Sequence, residues 1–159
     1  MKNLNKWTLG AVAALILAGG YWGYAQYVVP QAEAQTGLIP YKNTQVVAKG
    51  QEIYQANCAA CHGDNLEGEE NWKQPKSSGR MPAPPHDETG HTWHHNDELL
   101  FNLTKYGIAR LSNNPDYQTD MPVYDGVLSD DQIIAVLAYI KSTWPEEIQQ
   151  RHDQMNAGG

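Results

Sequence analysis

Apolar positions along the chain recur at helical spacing in three places and at no strand-like period. From Thr44 to Asn57, Val46, Val47, Ile53 and Tyr54 fall on one face, with Thr44 as the predicted cap. Gly50 lies four residues before Tyr54 on that same face, where a missing side chain would let another helix come close. A second helix is predicted over Asp97 to Tyr106. Asn96 caps it, Asp97 and Glu98 suit its first turn, Lys105 its last, and Gly107 the position beyond; Leu99, Leu100 and Leu103 would form its buried face. The third has the clearest start, the capping box Ser129-Asp130-Asp131-Gln132, and runs through Ile133, Ile134, Val136, Leu137 and Ile140 until Pro145 ends or bends it. Residues 146–159 read as a polar tail with a short surface helix, or as a kinked continuation of the third helix.

The amino terminus follows another pattern. Lys2 and Lys6 precede an uncharged stretch whose apolar part runs from Trp7 to Val29, 23 residues, enough at about 1.5 Å each to span a hydrocarbon core of about 30 Å. Two readings stand for residues 1–29. One is a transmembrane anchor; the other is a secretory signal with Ala32-Glu33-Ala34 as its cleavage site. The aromatics Tyr21, Trp22, Tyr24 and Tyr27 cluster at one end, as at a membrane interface, and favour the anchor. Both readings keep the lysines inside and export the remainder. Residues 30–43, with Pro30, Gly37 and Pro40, read as a tether.

With 159 residues the chain holds about one domain beyond this leader. Eleven basic residues against 18 acidic give a net charge of −7, which argues against nucleic acid as a partner. A single phenylalanine beside five Trp and nine Tyr makes a lean core that would gain from burying a flat aromatic cofactor.

Such a cofactor has an attachment signal. Cys58-Ala59-Ala60-Cys61-His62 is the Cys-x-x-Cys-His pattern of c-type haem: two thiols able to form thioethers with porphyrin vinyl groups, then a histidine delivered to the iron. A zinc site would need further cysteines, and a thioredoxin-like disulfide a βαβ setting; the chain has no other cysteine, and its surroundings read as helix. The irregular stretch from His62 to Asn96 is long for a compact domain unless it wraps something, and haem is the obvious candidate. For the sixth iron ligand, Met121, followed by Pro122 in a loop eight residues before Ser129, is preferred over Met81, whose proline-rich neighbours suit the proximal side.

Gly50 and Tyr54, Cys58 to Gly63, Met121-Pro122, and Val136 with Tyr139 together resemble a class I cytochrome c over residues 44–145. The resemblance implies an all-α fold of three main helices around one covalent haem c, with first and last helices crossing where Gly50 and Tyr54 meet Val136 and Tyr139. It also implies that the carbonyl of Pro84 or Pro85 faces His62. Gly90-His91-Thr92-Trp93-His94-His95 resembles a membrane-linked bacterial subgroup. The expected activity is single-electron transfer rather than enzymatic catalysis, with Cys58 and Cys61 fixing the haem and His62 and Met121 ligating iron. The expected partners are redox proteins of a respiratory chain, and the expected location is the bacterial inner membrane, facing the periplasm, or the soluble periplasm if the leader is removed. A cytochrome subunit of a membrane oxidase or dehydrogenase is the alternative, and a haem-based sensor a more distant one. His86, His91, His94 and His95 are close enough in sequence to raise a second metal, but no helical His-x-x-x-His pair supports it, so haem-edge or solvated histidines are expected. Trp93, a neighbouring histidine or Arg110 could meet a haem propionate.

Overall fold

Helix α1 (Thr44–Asn57) runs directly into the short α2 (Ala59–His62), and after a long loop a 3₁₀ turn (Thr92–His94) leads to α3 (Asp97–Tyr106). Then follow α4 (Ile108–Leu111), α5 (Asp130–Ser142) and α6 (Glu146–Ala157). The computed structural model describes residues 37–158 except 113 and 115; among them no strand occurs and no helix is long and apolar enough to cross a membrane. The apolar run from Trp7 to Val29, and with it the choice between anchor and signal, lies outside the described residues.

Each main helix starts where a side chain can satisfy its free amide groups. The cap of α1 is Asn43 rather than Thr44: its Oδ1 accepts from the N–H groups of Gln45 at 3.1 Å and Val46 at 3.3 Å. Asn96 caps α3 through Leu99 N–H at 2.9 Å, and Gly107, at φ 80°, closes it. At α5 both halves of the predicted capping box form, Gln132 N–H to Ser129 Oγ at 3.3 Å and Ser129 N–H to Gln132 Oε1 at 2.9 Å.

Helices α1 and α5 cross at Gly50, where a Cβ would overlap the carbonyl of Ala135 and stand 3.0 Å from Tyr139 Cβ. Close backbone approach lets Tyr54 and Tyr139 meet, ring centroids 5.4 Å apart. Ile53, Tyr54, Val136, Ile140 and Trp144 form one buried cluster, and Ile39, Tyr41, Leu100, Tyr124, Ile133 and Leu137 the other. Each large apolar side chain fully buried there contributes about 1.5–3 kcal/mol. In α3 the expected three-leucine face is narrower: Leu100 is buried and Leu103 half-buried, whereas Leu99 is exposed.

Packing extends past both ends of the span 44–145. Ile39 and Tyr41, within the predicted tether, are core residues. The buried carboxylate of Asp97 holds them there, accepting from the N–H groups of Leu38 at 2.7 Å and Ile39 at 3.1 Å. The carboxy-terminal segment is the expected polar helix, largely exposed but docked along one side. α5 stops at Ser142, and Gln149 of α6 donates to the carbonyls of Lys141, Ser142 and Trp144. His152 is fully buried, its Nε2–H donating to the His95 carbonyl at 2.7 Å. Lys141, also fully buried, meets Asp153 at 2.6 Å, and Asp153 accepts a further bond from the Tyr41 hydroxyl at 2.7 Å.

Candidate functional site

The turn from α1 into α2 presents the two thiols. Cys58 N–H still bonds the Tyr54 carbonyl at 2.8 Å, and His62 N–H bonds the Cys58 carbonyl at 2.9 Å, so Cys61 and His62 both lie about one helical turn beyond Cys58. Both cysteines are free; Cys58 is half-buried and Cys61 exposed. Burial pushes the Cys58 thiol up to about 11, keeping it protonated at neutral pH. The Tyr124 hydroxyl donates to the Asn57 carbonyl at 2.6 Å and fixes the loop after Met121 beside this turn.

His62 is buried, and its Nδ1 lies 2.8 Å from the Pro84 carbonyl, which identifies the proline left open by sequence. Because a carbonyl can only accept, Nδ1 carries the proton and Nε2 keeps its lone pair. Burial lowers the pKa of His62, against the opposing pull of the Pro84 carbonyl, and favours the neutral ring that can ligate a metal. Pro84 reaches this place because the loop doubles back: Gly68 N–H bonds the His62 carbonyl at 2.7 Å, Glu69 N–H bonds the Ala83 carbonyl at 2.9 Å, and His86 N–H bonds the Leu66 carbonyl at 2.8 Å. Gly68 has φ 69°, and a Cβ there would stand 2.5 Å from Pro85 N. Leu66 is also left-handed, at φ 70°, an uncommon backbone state for its type.

A cavity of about 510 Å³ opens onto these residues. Cys58, Cys61 and His62 line it together with Pro82, Leu100, Leu103, Ile108, Val136, Leu137 and Ile140. Met121 and Met81 both border it; Met121 is half-buried, whereas Met81 is 39% exposed. Met121 N–H is held by Thr119 Oγ1 at 3.1 Å, and Asp120 pairs with Arg80, tying the two methionine segments together. Of the expected propionate partners, Trp93 and Arg110 are absent from the lining. Trp93 stacks on His94 at 3.7 Å and points its indole N–H at the Glu88 carbonyl, while Arg110 lies over the Tyr106 ring at 4.6 Å. His86, His91 and His95 do line the cavity. Among the described residues, no three His, Cys, Asp or Glu side chains converge as metal ligands.

Two free thiols, a neutral imidazole with an available Nε2, an apolar cavity and a thioether at its border fit a covalently attached iron porphyrin. The cytochrome c family pattern matches residues 47–144, and the chain belongs to that family. It is therefore an electron-transfer protein that carries haem c, with its iron, through covalent attachment. Neither curated proteins nor solved structures provide a further match.

Sequence reasoning placed His86 only in the histidine cluster and missed its stacking on His62, with ring centroids 4.0 Å apart and 21° between planes; it also missed Trp72, stacked on His91 at 5.3 Å. Position two residues after Pro84, whose carbonyl meets His62, was the available signal for His86.

Proposed function

We propose that the protein is a monohaem single-electron carrier in which His62 and Met121 would ligate the iron, held by residues 1–29 to the outer face of a bacterial inner membrane, where it serves respiratory redox proteins. The carrying observation is that Cys58, Cys61, His62 and Met121 border one apolar cavity. When bound, the haem supplies the ferrous/ferric couple. Cys58 and Cys61 would hold the haem through two thioethers, each the net addition of S–H across a vinyl double bond, which would need no oxidant. His62 offers Nε2 while the Pro84 carbonyl keeps its Nδ1 proton in place. Leu100, Leu103, Val136 and Ile140 exclude water and thereby favour the less charged ferrous state. His91 and His95 place polar ring nitrogens at the cavity, suited to the haem carboxylates.

Absorption spectra of the purified protein test the ligand assignment. Met121→Ala is expected to abolish the weak far-red band of the ferric form and to open the ferrous form to carbon monoxide, while Met81→Ala changes neither. The reverse pattern would transfer the role to Met81.

Lys2 and Lys6 before the apolar run support the tether. Protein extracted from washed membranes should show an intact mass that includes residues 1–29. A soluble form starting after Ala34 would mean that the leader is a removed signal.

A further inference from the structure

We infer that His86 is a positioning residue for the iron ligand: its imidazole forms a fixed polar floor under His62 that sets the ligand's ring plane and stabilises the ferric state. The inference rests on His62 ligating iron, as proposed above. His62 is held by two contacts of different kinds. The Pro84 carbonyl grips its edge at 2.8 Å, and the His86 ring covers its face at 4.0 Å between centroids. A single hydrogen bond leaves the ring free to tilt about the N–H···O line; a flat neighbour nearly parallel to it removes that freedom.

The floor is itself anchored at three points. His86 N–H bonds the Leu66 carbonyl at 2.8 Å, its own carbonyl accepts from Trp144 Nε1 at 2.7 Å, and its Nδ1 lies 2.8 Å from Thr92 Oγ1. Thr92 is buried, and its hydroxyl is directed at the Pro85 carbonyl at 3.5 Å, which leaves Oγ1 to accept from His86 Nδ1–H. Leucine would fill the same space without desolvating a polar ring. What imidazole adds is a flat face and a dipole beside a ligand whose iron gains positive charge on oxidation. Polarity and hydrogen bonding around an axial ligand are levers on the potential.

The test uses full-length haem-loaded protein, with midpoint potential and the ferric haem-methyl proton shifts as readouts, the second reporting ligand-plane orientation. His86→Leu is expected to raise the potential and redistribute the methyl shifts while the far-red band persists. His86→Phe, which keeps a flat ring without the dipole, should raise the potential with the methyl pattern close to wild type. Thr92→Val, which frees the ring without removing it, should redistribute the methyl shifts. A wild-type potential in His86→Phe together with wild-type methyl shifts in Thr92→Val would overturn the inference even if His86→Leu failed to fold. His62→Ala separates the underlying assumption: a retained low-spin spectrum would show that another residue ligates iron.

Discussion

Alanine at Gly50 is expected to destabilise the protein by about 3 kcal/mol or to prevent its folding. Position 50 lies inside α1, where alanine is normally the better residue by about 1 kcal/mol, so helix propensity alone predicts a gain. Packing reverses the sign. A methyl group at this position would overlap the Ala135 carbonyl, with Ala135 C at 2.5 Å, and that obstacle is the backbone of α5 rather than the tip of a flexible side chain. Relief requires the two helices to separate, which loosens Tyr54 against Tyr139 and the cluster of Ile53, Val136 and Ile140. Separation also moves the end of α1 that delivers Cys58. Urea unfolding of haem-loaded protein, followed by tryptophan fluorescence, should give a clearly lower midpoint for Gly50→Ala. A midpoint equal to or above wild type would show that the helices do not cross at this glycine.

The features legible in the sequence were those written locally. Caps at Asn96 and Ser129, the spacing of Ile53 and Tyr54, and the contiguous Cys58 to His62 need no knowledge of distant residues. Gly50 was legible because a helical period put it on the face of Tyr54. Ile39 and Tyr41 were read as tether because Gly37 and Pro40 are loop residues; their burial depends on Asp97, 58 residues away from Ile39. Helix α6 looked like a surface helix because its composition is polar, yet it docks through Gln149, His152 and Asp153, each spending its polar groups on another part of the chain. The contact of His86 with His62 was not legible for a similar reason. Its ring meets His62 only because the intervening loop doubles back at Leu66 and Gly68, and both have positive φ. Hydrophobic periodicity finds helices, but polar side chains that join distant segments leave no period to find.

Asp97→Ala should be the most costly polar substitution, at about 3 kcal/mol or more. The carboxylate is 3% exposed and accepts from Leu38 N–H, Ile39 N–H and Asn156 Nδ2, so its removal strands several donors at about 1–3 kcal/mol each, less whatever entering water recovers. The same side chain stands 3.6 Å from Nδ1 of His152, which gives the loss a pH signature. Burial, then the charge of Lys141, lowers the pKa of His152, while the His95 carbonyl, Asp97 and Asp153 oppose them. A histidine with a depressed native pKa is protonated first in the unfolded chain. Its contribution to stability is therefore complete above about pH 6.5 and declines as pH falls from there towards the native pKa. Removing Asp97 withdraws one of the opposing interactions, so the acid loss through His152 should extend to lower pH in Asp97→Ala than in wild type. Replacing His152 with glutamine, which can still donate to the His95 carbonyl, should flatten this part of the profile. Urea midpoints of the three proteins between pH 5 and pH 8 provide the check, together with proteolysis near Pro145, which should accelerate in Asp97→Ala as α6 loses its hold on α3 and on residues 37–41. Equal midpoints at pH 8 for Asp97→Ala and wild type would mean that the amino- and carboxy-terminal segments are held without this carboxylate.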